Sequence, residues 1–262
     1  PRRFGKSLFV KMLESYYDIH TKDRFDELFG DLYIGRNPTT ERNQYMILNL
    51  DFSGIVTNQG AARFYQSFDN YIVQTIEAFI FKYRDITGFD ELPARYRHAE
   101  AAISFLISKF QNTKQKIYVL IDEYDNFAND LIKPMYSNNI EEELDYIKVI
   151  KSDSYVRTFY KTLKKLVKEF NTRVFMTGVS PIMLDDLASG FNITTNITVR
   201  EEFNEMLGFT DDEAVNILQQ SKINDVVIER IMKDLHFYYN GYLFSKKAQK
   251  KCLTLTCFFI FY

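Results

Sequence analysis

The sequence predicts an α/β protein: a mainly parallel sheet with helices on both faces, followed by a small carboxyl-terminal helical lid. Two observations carry this reading. The runs Ile117-Tyr118-Val119-Leu120-Ile121 and Arg173-Val174-Phe175-Met176-Thr177-Gly178-Val179 are largely apolar without alternation, as strands buried on both faces are. Between the strand-like runs lie stretches with apolar residues at helical spacing, and strands alternating with helices form parallel sheets through right-handed crossovers.

The elements follow in order. Leu8, Phe9, Met12, Leu13 and Tyr16 recur at helical spacing after Gly5, so the chain begins at a helix amino terminus whose apolar face meets a core. Asp23 to Gly35 reads as a short helix and loop, and Tyr45 to Asp51 as a strand. Helical patterns over Gly60 to Tyr83 and Tyr96 to Asn112 lead into the strand Ile117 to Ile121. The polar stretch Ser137 to Asp145 reads as a surface insertion, Val156 to Phe170 as a helix and Arg173 to Val179 as another buried strand. From Thr210 onward only helices are expected: Asp211 to Ser221, capped by Thr210, and Val226 to Tyr239. This divides the chain into a core at 1–205, a lid at 206–250 and an aberrant apolar tail at 251–262.

Composition narrows the function classes. With 33 basic and 35 acidic side chains among 262 residues, the net charge of -2 provides no global field toward nucleic acid or anionic membrane. The chain holds 24 Phe and 18 Tyr, mostly at core spacing, which points to packing rather than base stacking. Lys161, Lys164, Lys165 and Lys168 line one side of a helix, a pattern open to nucleic-acid phosphates as a partner, with a solvated face as the default reading. Cys252 and Cys257 lack zinc-site neighbours, so a reducing, cytoplasmic setting is expected. The start Pro1-Arg2-Arg3 does not open a signal peptide, and the run Leu253 to Tyr262 is far shorter than the ~20 residues that span a bilayer.

Three elements carry chemistry. Phe4-Gly5-Lys6-Ser7 matches the end of the phosphate-loop pattern GxxxxGK[ST]. Gly5 lets the backbone approach a phosphate, the helix amino terminus offers N–H groups, Lys6 neutralises phosphate charge and the Ser7 hydroxyl suits Mg2+. Taken alone, Gly-Lys-Ser also fits an ordinary basic helix start after a glycine turn. The second element is Asp122-Glu123, two acids delivered at the carboxyl end of an apolar strand, where α/β sheets place ligands. Asp122 suits the metal's water shell and Glu123 a general base for water. Thr177, ending its own strand, suits a sensor of the γ-phosphate and equally a hydroxyl bonded to a nearby loop.

Four stretches together resemble the AAA-ATPase-like family of bacterial and other microbial P-loop NTPases. They are Pro-Arg-Arg-Phe-Gly-Lys-Ser-Leu at 1–8, Leu-Ile-Asp-Glu-Tyr-Asp at 120–125, Phe-Met-Thr-Gly-Val-Ser at 175–180 and Tyr-Asn-Gly-Tyr-Leu-Phe-Ser at 239–245. The resemblance implies a P-loop three-layer sandwich whose first strand is missing here, since family members carry an apolar strand before the loop. It implies that Arg2, Arg3, Phe4, Gly5, Lys6, Ser7 and Leu8 form the ATP-binding loop, that Ser7 and Asp122 hold Mg2+, and that Asp122, Glu123 and Asp125 form the acid motif. It also implies a PD-(D/E)XK nuclease domain as the partner in a full-length parent.

The expected activity is Mg2+-dependent ATP hydrolysis with Glu123 and Thr177 in catalytic positions. Two other readings stay open: a nucleotide-binding regulatory switch with little turnover, and a truncated, inactive fragment. Arg157, Arg173 and Arg200 are candidate γ-phosphate arginines, with surface roles as the alternative, while His20, His98 and His236 form no triad or metal pattern.

Overall fold

Among the described residues three parallel strands in the order β1-β2-β3 form a sheet: β1 (Met46–Asp51), β2 (Ile117–Asp122) and β3 (Arg173–Met176). Met46 lies opposite Ile117 and Asp51 opposite Asp122, while Tyr118 lies opposite Arg173 and Ile121 opposite Met176. All three carboxyl ends therefore share one edge. The computed structural model describes residues 3–56, 60–110, 113–126, 155–170, 172–179, 193–239 and 241–254. Arg2, the expected insertion Ser137 to Asp145, Ser180, Asn240 and the tail from 255 onward lie outside them.

Among the described residues the helices are α1 (Lys6–Tyr17), α2 (Phe25–Phe29), α3 (Tyr33–Arg36), α4 (Gly60–Lys82), α5 (Arg84–Thr87), α6 (Ala99–Phe110), α7 (Tyr155–Glu169), α8 (Asp211–Gln220) and α9 (Asp225–Tyr239). By contacts they fall into two compact units, Val10–Thr194 and the pair of segments Pro1–Phe9 and Thr195–Tyr262.

In the larger unit the pleat sorts side chains to two faces. Met46, Leu48, Leu50, Ile117, Val119 and Ile121 join one core with α4, α6 and α7. The spacing explains the helices: Phe64, Phe68, Ile72, Ile76 and Ile80 form one stripe of α4, and Val156, Phe159, Tyr160, Leu163 and Leu166 one stripe of α7. Each such fully buried side chain contributes about 1.5–3 kcal/mol. Asp69 of α4 ties the three helices together: its Oδ1 accepts from the Ala99 N–H at 2.6 Å and from the Tyr155 hydroxyl, and its Oδ2 lies 2.9 Å from His98 Nδ1.

The opposite face, with Tyr45, Ile47 and Leu120, packs against Val10, Leu13 and Tyr17. This corrects the expected face of α1, because Leu8 and Met12 are 58% and 41% exposed. Apolar residues on several sides of α1 allow more than one stripe, and the sheet selects the one through Val10. Beside it, Asn49 Nδ2 donates to Glu14 Oε2 at 2.9 Å, and the Lys82 ammonium lies 2.6 Å from Asp18 and 3.6 Å from Glu14. Strand β3 is shorter and less buried than its sequence suggests, with Arg173 exposed and the next three residues half-buried. Among the described residues only β2 pairs with it.

The smaller unit is not wholly helical. Helix α8 starts with a capping box in which the Thr210 side chain accepts from the Glu213 N–H and the Glu213 carboxylate accepts from the Thr210 N–H. Helix α9 packs on it through Leu235, with Ala214 and Leu253 completing a small core. The chain beyond α9 pairs backbone to backbone: Tyr242 exchanges hydrogen bonds with Cys252 at 2.8 and 2.9 Å, and Phe209 with Leu253 at 3.0 and 2.7 Å. Cys252 and Leu253 are thereby buried parts of this unit. No helix among the described residues is long and apolar enough to cross a membrane.

Candidate functional site

Every residue of β2 but the half-buried Tyr118 is buried, because alternate residues pack into one of two cores, and this carries Asp122 to the sheet's carboxyl edge while keeping it 4% exposed. A buried carboxylate requires donors. Asp122 Oδ1 accepts from the Thr177 hydroxyl and, at 3.0 Å, from the Glu123 N–H. Thr177 is held in turn by the ladder, its N–H donating to the Ile121 carbonyl at 2.8 Å and its carbonyl accepting from the Tyr124 N–H at 3.1 Å. The sequence expectation that Thr177 lies beside the acid strand thus acquires a specific contact, a hydroxyl on the predicted metal aspartate.

The turn after β2 is shaped closely. Glu123 has a left-handed backbone, with φ 52°. The Asp125 carboxylate is 2% exposed and its Oδ2 accepts from the Val179 N–H at 2.9 Å. Gly178 permits this closure, since a Cβ there would lie 2.4 Å from Tyr124 Cε1 and 2.6 Å from Asp125 Oδ1. Asn126 Nδ2 donates to the Phe52 carbonyl at 3.2 Å, tying the turn to the end of β1. Behind it, burial, followed by the neighbouring Tyr124 and Asp125, pushes the Tyr160 phenol well above the ordinary range. Asp51, opposite Asp122 in the ladder, accepts from the Ser53 N–H at 2.9 Å and so caps its own turn.

The chemistry of this donor set fits a magnesium ion. Both hydrogen bonds that described residues make to Asp122 fall on Oδ1, leaving Oδ2 as the oxygen suited to a metal's water shell. Mg2+ keeps several waters and takes one or two carboxylates alongside substrate phosphates, so a single aspartate suits it better than a cage of acids would. Among the described residues no group of three or more His, Cys, Asp or Glu forms such a cage.

The predicted phosphate loop belongs to the smaller unit. Arg3 and Gly5 have φ 68° and 84°, so the chain turns through two left-handed residues before α1 begins at Lys6. The Gly5 carbonyl accepts from the Phe9 N–H at 2.8 Å, the first helical hydrogen bond. Lys6 and Ser7 therefore lie in the first turn, whose N–H groups lack intrahelical acceptors. Ser7 and Leu8 are exposed. Phe4 is different: its ring is 3% exposed, buried against Tyr242 and Phe244, so its side chain serves packing.

Of the candidate arginines, Arg173 begins β3, and its Nε–H donates to the Tyr45 hydroxyl at 3.3 Å. It lies opposite Tyr118, about four residues of strand or ~13 Å from Asp122, at the wrong end of the sheet for the acids. Arg200 sits 3.7 Å from Glu202. The three histidines face separate acids: His20 faces Asp85, His98 faces Asp69 and His236 faces Asp211.

A model of the AAA-ATPase-like family, described as a predicted AAA-ATPase, matches residues 1–188. No curated protein and no solved structure matches the chain.

Proposed function

The chain belongs to the AAA-ATPase-like family, and from that premise we propose that it is an ATP-binding, Mg2+-dependent ATPase domain with a P-loop three-layer sandwich and a helical lid built from α8 and α9. The observation that carries the reading is the buried Asp122 at the carboxyl end of β2, bonded to Thr177 and followed directly by Glu123. Parallel sheets present their ligands at that edge.

In this reading the first-turn N–H groups of α1, with Gly5 giving backbone access, cradle the phosphates, and Lys6 neutralises their charge. A magnesium ion would supply charge neutralisation at the phosphates, and the family resemblance assigns the Ser7 hydroxyl and Asp122 as the residues that would hold it. Glu123 takes the proton of the attacking water, a contribution of about 100- to 10,000-fold in rate for a positioned base. Thr177 holds Asp122 in place and reaches toward the reacting phosphate. Arg2 and Arg3 add positive charge to the loop.

The test is phosphate release from ATP with and without Mg2+, beside equilibrium dialysis of labelled ATP. Lys6→Ala should lose binding, and Glu123→Gln should keep binding while losing at least 100-fold in turnover, the lower end of a general base's contribution. Tight binding with no turnover in the unmodified chain would make it a nucleotide-dependent switch, and absence of binding would refute the proposal.

A further inference from the structure

A phosphate loop gains nothing from an aromatic side chain turned toward anions, yet Phe4 sits between Arg3 and Gly5. The smaller unit accounts for it. The Phe4 ring lies 5.2 Å from Phe244 at 80° and 5.6 Å from Tyr242 at 65°, and those two rings lie 5.4 Å apart. Edge-to-face geometry of this kind is the favourable arrangement for aromatic pairs. The main chain is clamped as well, with the Phe4 carbonyl accepting from the Gly208 N–H at 3.1 Å. Gly208 itself has φ 85°, and a Cβ there would lie 2.9 Å from Phe4 Cδ1 and 2.6 Å from the Leu253 carbonyl. Only glycine allows the approach.

The rings that hold Phe4 are themselves held. Asn204 is 2% exposed, and its Oδ1 accepts from the N–H groups of Phe244 at 3.0 Å and Ser245 at 3.2 Å, while its Nδ2 donates to the Lys250 carbonyl at 2.8 Å. Tyr242 is fixed by its paired hydrogen bonds with Cys252. A continuous chain of contacts thus runs from Asn204 through Phe244 to Phe4, and Phe4 lies between the two left-handed residues that give the loop its shape. Tyr242, Phe244 and Ser245, which the catalytic reading leaves without a role, supply the clamp.

Resting on the reading that this loop holds nucleotide phosphates, we infer that Phe4 is a positioning residue that couples the loop to segment 204–253. Docking of that segment organises the loop for phosphate, and nucleotide at the loop stabilises the docked segment. Thermodynamic linkage makes the two effects equal in size.

The chain contains no Trp, so Tyr242→Trp places a single indole reporter against Phe4. Emission of this variant would be followed during Mg-ATP titration, beside equilibrium dialysis of labelled ATP for the unmodified chain and for Phe244→Ala, Phe244→Tyr and Gly208→Ala. Thermal melting without nucleotide checks that each variant is folded. We expect the reporter to shift with a midpoint equal to the dialysis Kd, and the shift to vanish when Lys6→Ala is added. Phe244→Ala and Gly208→Ala should bind about tenfold more weakly, and Phe244→Tyr should restore binding, because the ring and not the side-chain polarity matters. If Phe244→Ala does not fold, the reporter and Gly208→Ala decide the question. Unchanged affinity in the folded variants with a silent reporter overturns the coupling and leaves the ATPase reading standing. Absence of ATP binding by the unmodified chain overturns both.

Discussion

Replacing Thr177 by Val removes one hydroxyl and almost no volume, which isolates the contact to Asp122. The Thr177 side chain is 7% and Asp122 4% exposed, so water cannot readily substitute for the missing donor. A hydrogen bond to a charged acceptor contributes about 1.5–3 kcal/mol, and loss of one partner also leaves the acceptor under-satisfied. At about 2–4 °C per kcal/mol for a domain of 150–250 residues, Thr177→Val should lower Tm by roughly 3–12 °C. Thr177→Ser keeps the hydroxyl and should recover most of that loss. The assay is thermal unfolding followed by circular dichroism. A Thr177→Val variant that melts with the parent would show that the hydroxyl does not support Asp122 and would remove the structural link between the two predicted site residues.

Further outcomes follow from the packing around the sheet. Burial by itself raises the Glu14 carboxyl, but Lys11, Asn49 and Lys82 outweigh it and hold it below its ordinary value of 4.5. A lowered folded value gives stability that is present above the unfolded value and lost as pH falls through the folded one, so Glu14→Gln should flatten the acid limb of a Tm–pH curve below about 4.5. Burial, followed by the neighbouring Tyr17, pushes Tyr118 up to about 12. Its contribution is complete below the unfolded value of 10.0 and falls away as pH rises from there toward 12, so Tyr118→Phe should reduce alkaline destabilisation and remove one late-titrating phenolate from the absorbance titration. Gly178→Ala drives a methyl into the buried Tyr124 and Asp125, and should destabilise by about 1–3 kcal/mol as overpacking does, read as a lower denaturant midpoint at unchanged slope.

The legible parts of the fold were those where one local pattern had a single outcome. Strand β2 admitted no helix of its length, α7 had one apolar stripe, and Thr210 stood where a helix cap is wanted, the box with Glu213 emerging only in the structure. Helix α1 was harder because Leu8, Val10, Met12, Leu13, Tyr16 and Tyr17 leave its apolar surface broad, and only the sheet's second face decides which stripe is buried. At the site, residue types at strand ends pointed to Asp122, Glu123 and Thr177. The hydroxyl contact between Asp122 and Thr177 spans 55 positions and depends on the register of β2 with β3, which no short window contains. Phe4 was grouped with the loop by position, and its partners lie at the other end of the sequence. The signal for them was the stretch Tyr-Asn-Gly-Tyr-Leu-Phe-Ser at 239–245, which carried the resemblance but no chemistry.

The left-handed backbone at Glu123 sets a cost in durability against the base role proposed for it. Side chains with a Cβ resist that conformation by about 1–2 kcal/mol, whereas glycine adopts it freely at the expense of about 0.4–1 kcal/mol of extra disorder in the unfolded chain. With φ at 52°, Glu123 therefore carries a backbone cost that glycine would not. On the proposed ATPase reading, Glu123→Gly should relieve that backbone cost while losing hydrolysis, read as phosphate release from ATP. On that reading the backbone at this position asks for glycine while the chemistry asks for a carboxylate, and the chain holds the carboxylate.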